Sequence, residues 1–268
     1  MKFSFVKKDE DNLQYSITID SVEGLIALGE KMRGAFVFRG HASASWKFQT
    51  SIERAAIRWG VKFEDLAERE QMVIREFQRR AHHYIKDPPA YDNNLEWMAI
   101  LQHYGGPTRL LDVTESFLIA IFFAIENADD ESVVWAFNGG LFDSEICADI
   151  NLFEEEKKTG IVLAEPFRLN KRLTIQKGKF LLPLDISSSF RSQLYKKLGT
   201  TLDLFQEINT ADELNKIIFA RVVKIILPKN SHSEIMRFLS NSNITATTLF
   251  DGLEGFARSL NIIMRIYD

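Results

Sequence analysis

The sequence predicts an α+β fold, a helical first half with a mixed or antiparallel sheet. Three observations point to it. Helical apolar periods cluster in the first half of the chain, and short apolar strand-like runs cluster in the second. The two kinds of element do not alternate as the βαβ units of a parallel sheet would.

Taken in order, residues 13–19 alternate as a strand should. Asp20 and Glu23 form a capping-box pattern that opens a helix over 21–32. Ala35-Phe36-Val37-Phe38, between Gly34 and Gly40, is a buried strand. Residues 64–84 form an amphipathic helix with Leu66, Val73, Phe77, Ala81 and Tyr84 on one face, stopped by Asp87-Pro88-Pro89. A second helix over 93–104 groups Trp97, Leu101 and Tyr104, and Gly105-Gly106-Pro107 ends it. A third, over 115–127, runs through Phe117-Leu118-Ile119-Ala120-Ile121-Phe122-Phe123-Ala124 and should be buried on all sides.

Val133 to Phe137 is a strand ending at Asn138-Gly139-Gly140. Residues 141–165 read as irregular, with Glu154-Glu155-Glu156-Lys157-Lys158 a solvated charge run. Arg172 to Gln176 is strand-like before a glycine turn, and Lys179–Leu184 and Ala220–Leu227 are strands. Ser231 with Glu234 caps a helix over 231–241. Ile262 to Ile266 is a closing strand or helix end.

Composition bounds the function. The 268 residues are 46% apolar and 26% charged, enough for one large domain, and 21 Phe imply an aromatic core. A net charge of -4 argues against a general nucleic-acid or anionic-membrane binder, so any such contact must be local. One cysteine, Cys147, permits no internal disulfide and no cysteine-based zinc site, and a cytoplasmic home is expected. The first residues carry no signal-peptide pattern, and no run is apolar enough for a membrane helix. No metal-ligand spacing, P-loop or dinucleotide glycine fingerprint occurs, so no metal is expected.

Three segments could carry chemistry, the last of them Arg172 to Phe180. Arg39 leaves a buried strand just before Gly40, so its guanidinium fork would be held rigidly toward a phosphate or carboxylate. Gly40 would let the chain turn and a ligand approach. The alternative is an arginine paired with a core carboxylate such as Asp112. The second segment runs from Gln102 through His103, Tyr104, Thr108, Arg109 and Asp112 to Thr114. Polar groups leading into an apolar helix must be paired or serve a site. Asp112 or Thr114 could cap that helix, whose N-terminus also favours an anion. A structural network with a buried Arg109–Asp112 pair is the alternative. His82-His83 beside Arg75, Arg79 and Arg80 is better explained as a solvated helix end. Gln176 is a neutral hydrogen-bonding group and not a general base.

The same residues carry a resemblance. Phe38-Arg39-Gly40 with Trp46, Ser51 and Arg54, then Gln102-His103-Tyr104-Gly105, Pro107-Thr108-Arg109-Leu110-Leu111-Asp112 and the Ala120–Ala124 helix, resemble the FRG domain family. Arg172, Gln176, Gly178 and Phe180, and Leu249-Phe250-Asp251-Gly252-Leu253-Glu254-Gly255, resemble its later motifs, with Asp251 where the family usually has proline. The resemblance spans residues 30–260 and implies a single FRG-type domain over 1–268. It also implies a bacterial conflict or stress setting.

A wider similarity to ADP-ribosyltransferases implies an ADP-ribosyltransferase-like fold with NAD as ligand. Arg39 would then hold phosphate, Thr108 or Thr114 would be the middle residue, and Gln176 would stand where that superfamily has glutamate. Because glutamine carries no negative charge, Asp112 or Glu115 would have to supply it. The expected catalytic set is therefore Arg39, Asp112 and Gln176, with Gln102, His103, Tyr104, Thr108, Arg109 and Thr114 binding a small nucleotide. NAD transfer to a protein or nucleic-acid acceptor, or NAD hydrolysis, is one expectation. A non-catalytic module binding nucleotide, nucleic acid or protein is the other.

Overall fold

The computed structural model describes residues 13–146, 159–168, 171–199 and 201–263. The charge run at 154–158 and the residues after 263 lie outside them. Strand β1 (Gln14–Thr18) leads to helix α1 (Val22–Lys31), β2 (Phe36–His41), α2 (Ser51–Trp59), α3 (Leu66–Ala81) and α4 (Asn94–His103). Then follow β3 (Leu111–Thr114), α5 (Phe117–Ile125), β4 (Ser132–Asn138), β5 (Asp143–Ile146), β6 (Ile161–Glu165), α6 (Lys171–Gln176) and β7 (Gly178–Pro183). Helix α7 (Phe190–Leu198), β8 (Gln206–Glu207), β9 (Val222–Leu227), α8 (His232–Asn241), α9 (Ala246–Leu249) and α10 (Gly252–Ser259) complete the order.

Among the described residues, nine strands form one sheet in the order β5-β6-β7-β3-β2-β4-β9-β1-β8. Its centre, β7-β3-β2-β4-β9, is antiparallel throughout, while β9-β1-β8 and β5-β6 are parallel. This mixed sheet with surrounding helices is the α+β class expected. Strand and helix are interleaved, however, and the first half contributes β1, β2 and β3 as well as its helices.

The sheet is covered on both sides because β2 alternates. Phe36 and Phe38 join α1, α5 and α8 in one core, while Val37 joins Phe48, Phe137 and the α7 residues Phe190 and Leu194 in another. A third cluster packs Ile74, Trp97 and Met98 of α3 and α4 onto Phe180 and Leu182 of β7. Helix α5 is buried on nearly every side, as its composition requires.

Several local expectations are corrected. Ser21, not Asp20, caps α1, its side chain accepting from the Gly24 amide. Helix α3 buries Leu66, Glu70, Ile74 and Ala81, while Tyr84 lies beyond its end and is exposed. Arg39 lies inside β2, which continues to His41. Asp112 and Thr114 belong to a strand, and Ser116 caps α5. Ser231 makes no side-chain cap on α8, because its hydroxyl turns back to the Pro228 carbonyl at 2.7 Å. Residues 171–176 are helical, and strands β5 and β6 occupy part of the stretch read as irregular.

Gly40 turns no corner. A Cβ there would overlap the carbonyl oxygen of Ala120 and the amide of Ala124, so glycine lets α5 lie directly on β2. Both obstacles are backbone, so neither can rotate aside. Gly40→Ala is expected to cost about 3 kcal/mol or slightly more, read as a fall in denaturation midpoint at unchanged slope. An unchanged midpoint would mean that α5 can lift from the strand at no cost.

Candidate functional site

Strands β2 and β3 share a single ladder pair, Phe38 with Thr114, among the described residues. Beyond it the Asp112 carbonyl has no partner on β2, and the Arg39 side chain takes that place. Arg39 Nη1 donates to the Asp112 carbonyl oxygen at 2.5 Å, and Nε donates to His41 Nε2 at 3.2 Å. Nη2 has no protein partner among the described residues. The guanidinium is thus fixed at two edges with a third left over. Burial lowers its pKa, Asp112 opposes this and Arg54 adds to it; a guanidinium stays cationic regardless.

His41 is buried and stacks near Trp46 and Phe48, at centroid distances of 6.0 and 5.1 Å. Burial, then the Arg39 charge, push its pKa down to about 3, against a weak opposing pull from the Trp46 backbone. It is neutral, and accepting from Arg39 at Nε2 requires the proton on Nδ1.

The Arg39 guanidinium lines a cavity of about 390 Å³. Gln102, His103, Asp112, Thr114 and Gln176 line it too, so most of the expected residues converge despite their distance in sequence. The Asp112 carboxylate is exposed to it and oriented from behind. Gln102 Nε2 donates to Asp112 Oδ1 at 2.8 Å, while Gln102 Oε1 accepts from the Thr108 hydroxyl. Thr108 is fully buried and clamped by Ser51, whose Oγ accepts from the Thr108 amide at 2.9 Å and donates to its carbonyl at 3.1 Å. The amide of Gln102 is therefore held in one orientation, and so is the carboxylate.

Four expected residues behave differently. Arg109 does not line the cavity; it is buried against Glu70 and donates to the Pro183 and Leu184 carbonyls at 3.2 and 3.0 Å. Neither of the expected pairs with the Asp112 carboxylate forms, since Arg109 takes Glu70 and Arg39 takes a carbonyl. Tyr104 is exposed and off the cavity wall, with its ring against His103. Thr108 lies behind the wall. Gln176 lines the cavity from the end of α6, where Lys177 at φ 47° turns the chain into β7, and not from a strand. Its Nε2 donates to the Leu249 carbonyl at 3.0 Å and its own carbonyl accepts from Thr114 Oγ1 at 2.7 Å.

The cavity also holds residues not expected as site members: Trp46, Glu126, Arg172, Lys179, Phe250 and Arg258. Trp46, Arg172 and Phe250 stand in the motifs quoted above, and that was the available signal. Glu126 and Arg258 had none, because 132 residues separate them. Arg258 grips Glu126 with Nε at 3.2 Å and Nη2 at 2.7 Å. Lys179 pairs with Glu115 at 2.6 Å and Glu165 at 3.5 Å. Partial burial lowers its pKa, yet the two carboxylates prevail and raise it. Burial and the Arg172 charge lower the pKa of His103, against Glu254, so His103 enters as a neutral ring near pH 7.

This is an α+β protein whose mixed sheet carries a partly aromatic cavity with Arg39, Arg172, Lys179 and Arg258 in its lining. The family model of the FRG domain matches residues 34–132. The match contains Arg39, Gln102, Thr108 and Asp112, whereas Arg172, Gln176, Phe250 and Arg258 reach the cavity from outside it. No curated protein and no solved structure matches the chain. The likeness to ADP-ribosyltransferases has no support among these comparisons and loses its late-strand residue, since Gln176 is helical. Among the described residues no helix is long and apolar enough to cross a membrane.

Proposed function

We propose that the cavity binds a nucleotide through its phosphates, and that Asp112 acts on a bound NAD. The observation that carries this is the Thr108–Gln102–Asp112 relay beside a fixed Arg39. A carboxylate open to a cavity, and aimed by half-buried Gln102 with buried Thr108 behind it, is preorganised. Arg39 Nη2 and the exposed Trp46 indole supply a phosphate contact and a stacking face for a base.

In such a reaction the bond from the ribose anomeric carbon to the nicotinamide nitrogen breaks, and the bonding electrons leave with nicotinamide. The Asp112 carboxylate stabilises the developing cation. A water oxygen, or an acceptor nucleophile, then bonds to that carbon and loses its proton to bulk water. Gln176 takes no part in this, because its amide is tied to Leu249.

The test is to incubate purified protein with NAD and measure nicotinamide release together with the shift in Tm. Asp112→Asn is expected to lower release about a hundredfold or more while NAD still raises Tm. Arg39→Gln is expected to weaken NAD binding at least about tenfold. Release unaffected by Asp112→Asn would remove the catalytic assignment. A second reading, binding without turnover, is favoured by the structural engagement of Gln176; it predicts a Tm shift with no nicotinamide released.

A further inference from the structure

The three arginines of the cavity differ in what occupies their hydrogen-bonding edges. Arg258 lies over the Phe250 ring, with its carbon 3.6 Å from the centroid, and its edge is filled by Glu126. Arg39 has one nitrogen left for a ligand. Arg172 also lies over Phe250, at 4.7 Å, and among the described residues it has no ion pair. A guanidinium bonds anions in its plane and aromatic rings through its face. Stacking on Phe250 therefore fixes the orientation of Arg172 while leaving its in-plane N–H groups available. Phe250 is itself held, buried and edge-on to Phe123 with centroids 6.0 Å apart.

The other charges in the wall are balanced locally. Lys179 has Glu115 and Glu165, Arg258 has Glu126, and Asp112 lies beside Arg39. Arg172 is the cation left over among the described lining residues, and His103, next to its field, is held neutral. A ligand with a single negative charge at Arg39 leaves Arg172 without a partner.

We infer that Arg172 is a second anion-binding residue, reading a further phosphate of the ligand, so that the cavity selects nucleoside diphosphates over monophosphates. This rests on the nucleotide reading above and narrows its substrate class.

Titration calorimetry of the full chain with AMP and with ADP tests it. The wild type is expected to bind ADP at least about tenfold more tightly than AMP. Arg172→Gln should erase that preference while AMP affinity stays within about threefold. Arg172→Lys, keeping the charge without the planar fork, should restore part of it. Arg39→Gln should weaken both nucleotides. Tm, measured alongside, confirms that each variant folds. A preference for ADP that persists in Arg172→Gln overturns the inference, as does equal loss of AMP and ADP, which would make Arg172 a shaper of the wall through Phe250. Wild type that binds ADP no better than AMP also overturns it, with the nucleotide reading intact. If neither nucleotide binds the wild type, the nucleotide reading itself falls and takes the inference with it.

Discussion

Glu70→Gln is expected to destabilise the protein by about 3–5 kcal/mol. Glu70 and Arg109 are both sealed from solvent, at 0 and 2% exposure, so neither charge has water to fall back on. Arg109 donates through Nε to Glu70 Oε2 at 2.7 Å and through Nη2 to the same oxygen. It also bonds the carbonyls of Pro183 and Leu184, at the end of β7. Removing the carboxylate charge leaves a buried guanidinium balanced only by dipoles. Urea unfolding should show the loss as a lower midpoint, and a change below about 1 kcal/mol would mean that water reaches the pair. The double variant Glu70→Leu with Arg109→Met should lie closer to wild type than either single change, because a buried ion pair replaced as a unit leaves no orphan charge.

Acid should weaken the fold earlier than its carboxylates alone would cause. His41 carries a folded pKa of about 3 against an ordinary value of 6.5. Between those values the unfolded chain binds a proton that the native state refuses, so stability rises with pH across the window. The contribution is fully present above 6.5 and is lost as pH falls toward 3, a total on the order of 5 kcal/mol. Roughly 2 kcal/mol of that goes between pH 6.5 and 5, before most carboxylates titrate. Glu53 works oppositely: burial raises its pKa, and the amides of Phe190 and Thr50 oppose this, so its contribution is lost as pH rises through the carboxylate range. Denaturation curves of wild type and His41→Gln at matched pH isolate the histidine. The variant should have a flatter slope between pH 6.5 and 5, and parallel slopes would show that His41 takes up its proton in the native state.

The candidate site was legible in parts. Arg39, Gln102, His103, Asp112, Thr114 and Gln176 stand out in the sequence as polar residues beside apolar elements, and the cavity gathers all six. Arg109 stands out by the same pattern but serves the core, paired with Glu70. Sequence shows that a buried arginine needs a carboxylate; it does not show that the carboxylate is Glu70, 39 residues away, rather than Asp112, three residues away. Thr108 was likewise visible as polar, while its place behind Gln102 was not.

The chain's local patterns determined helix α5, strand β4 after it, the glycine-proline stop after α4 and the α+β class. These depend on periods of two and 3.6 residues and on turn chemistry, which neighbouring residues specify among themselves. The fold alone decided that β2 and β3 part after one pair, that Arg258 grips Glu126, and that Arg172 and Arg258 share Phe250. Such contacts join groups far apart in sequence, and their partners are selected by how whole layers pack, a quantity that no short window of residues contains.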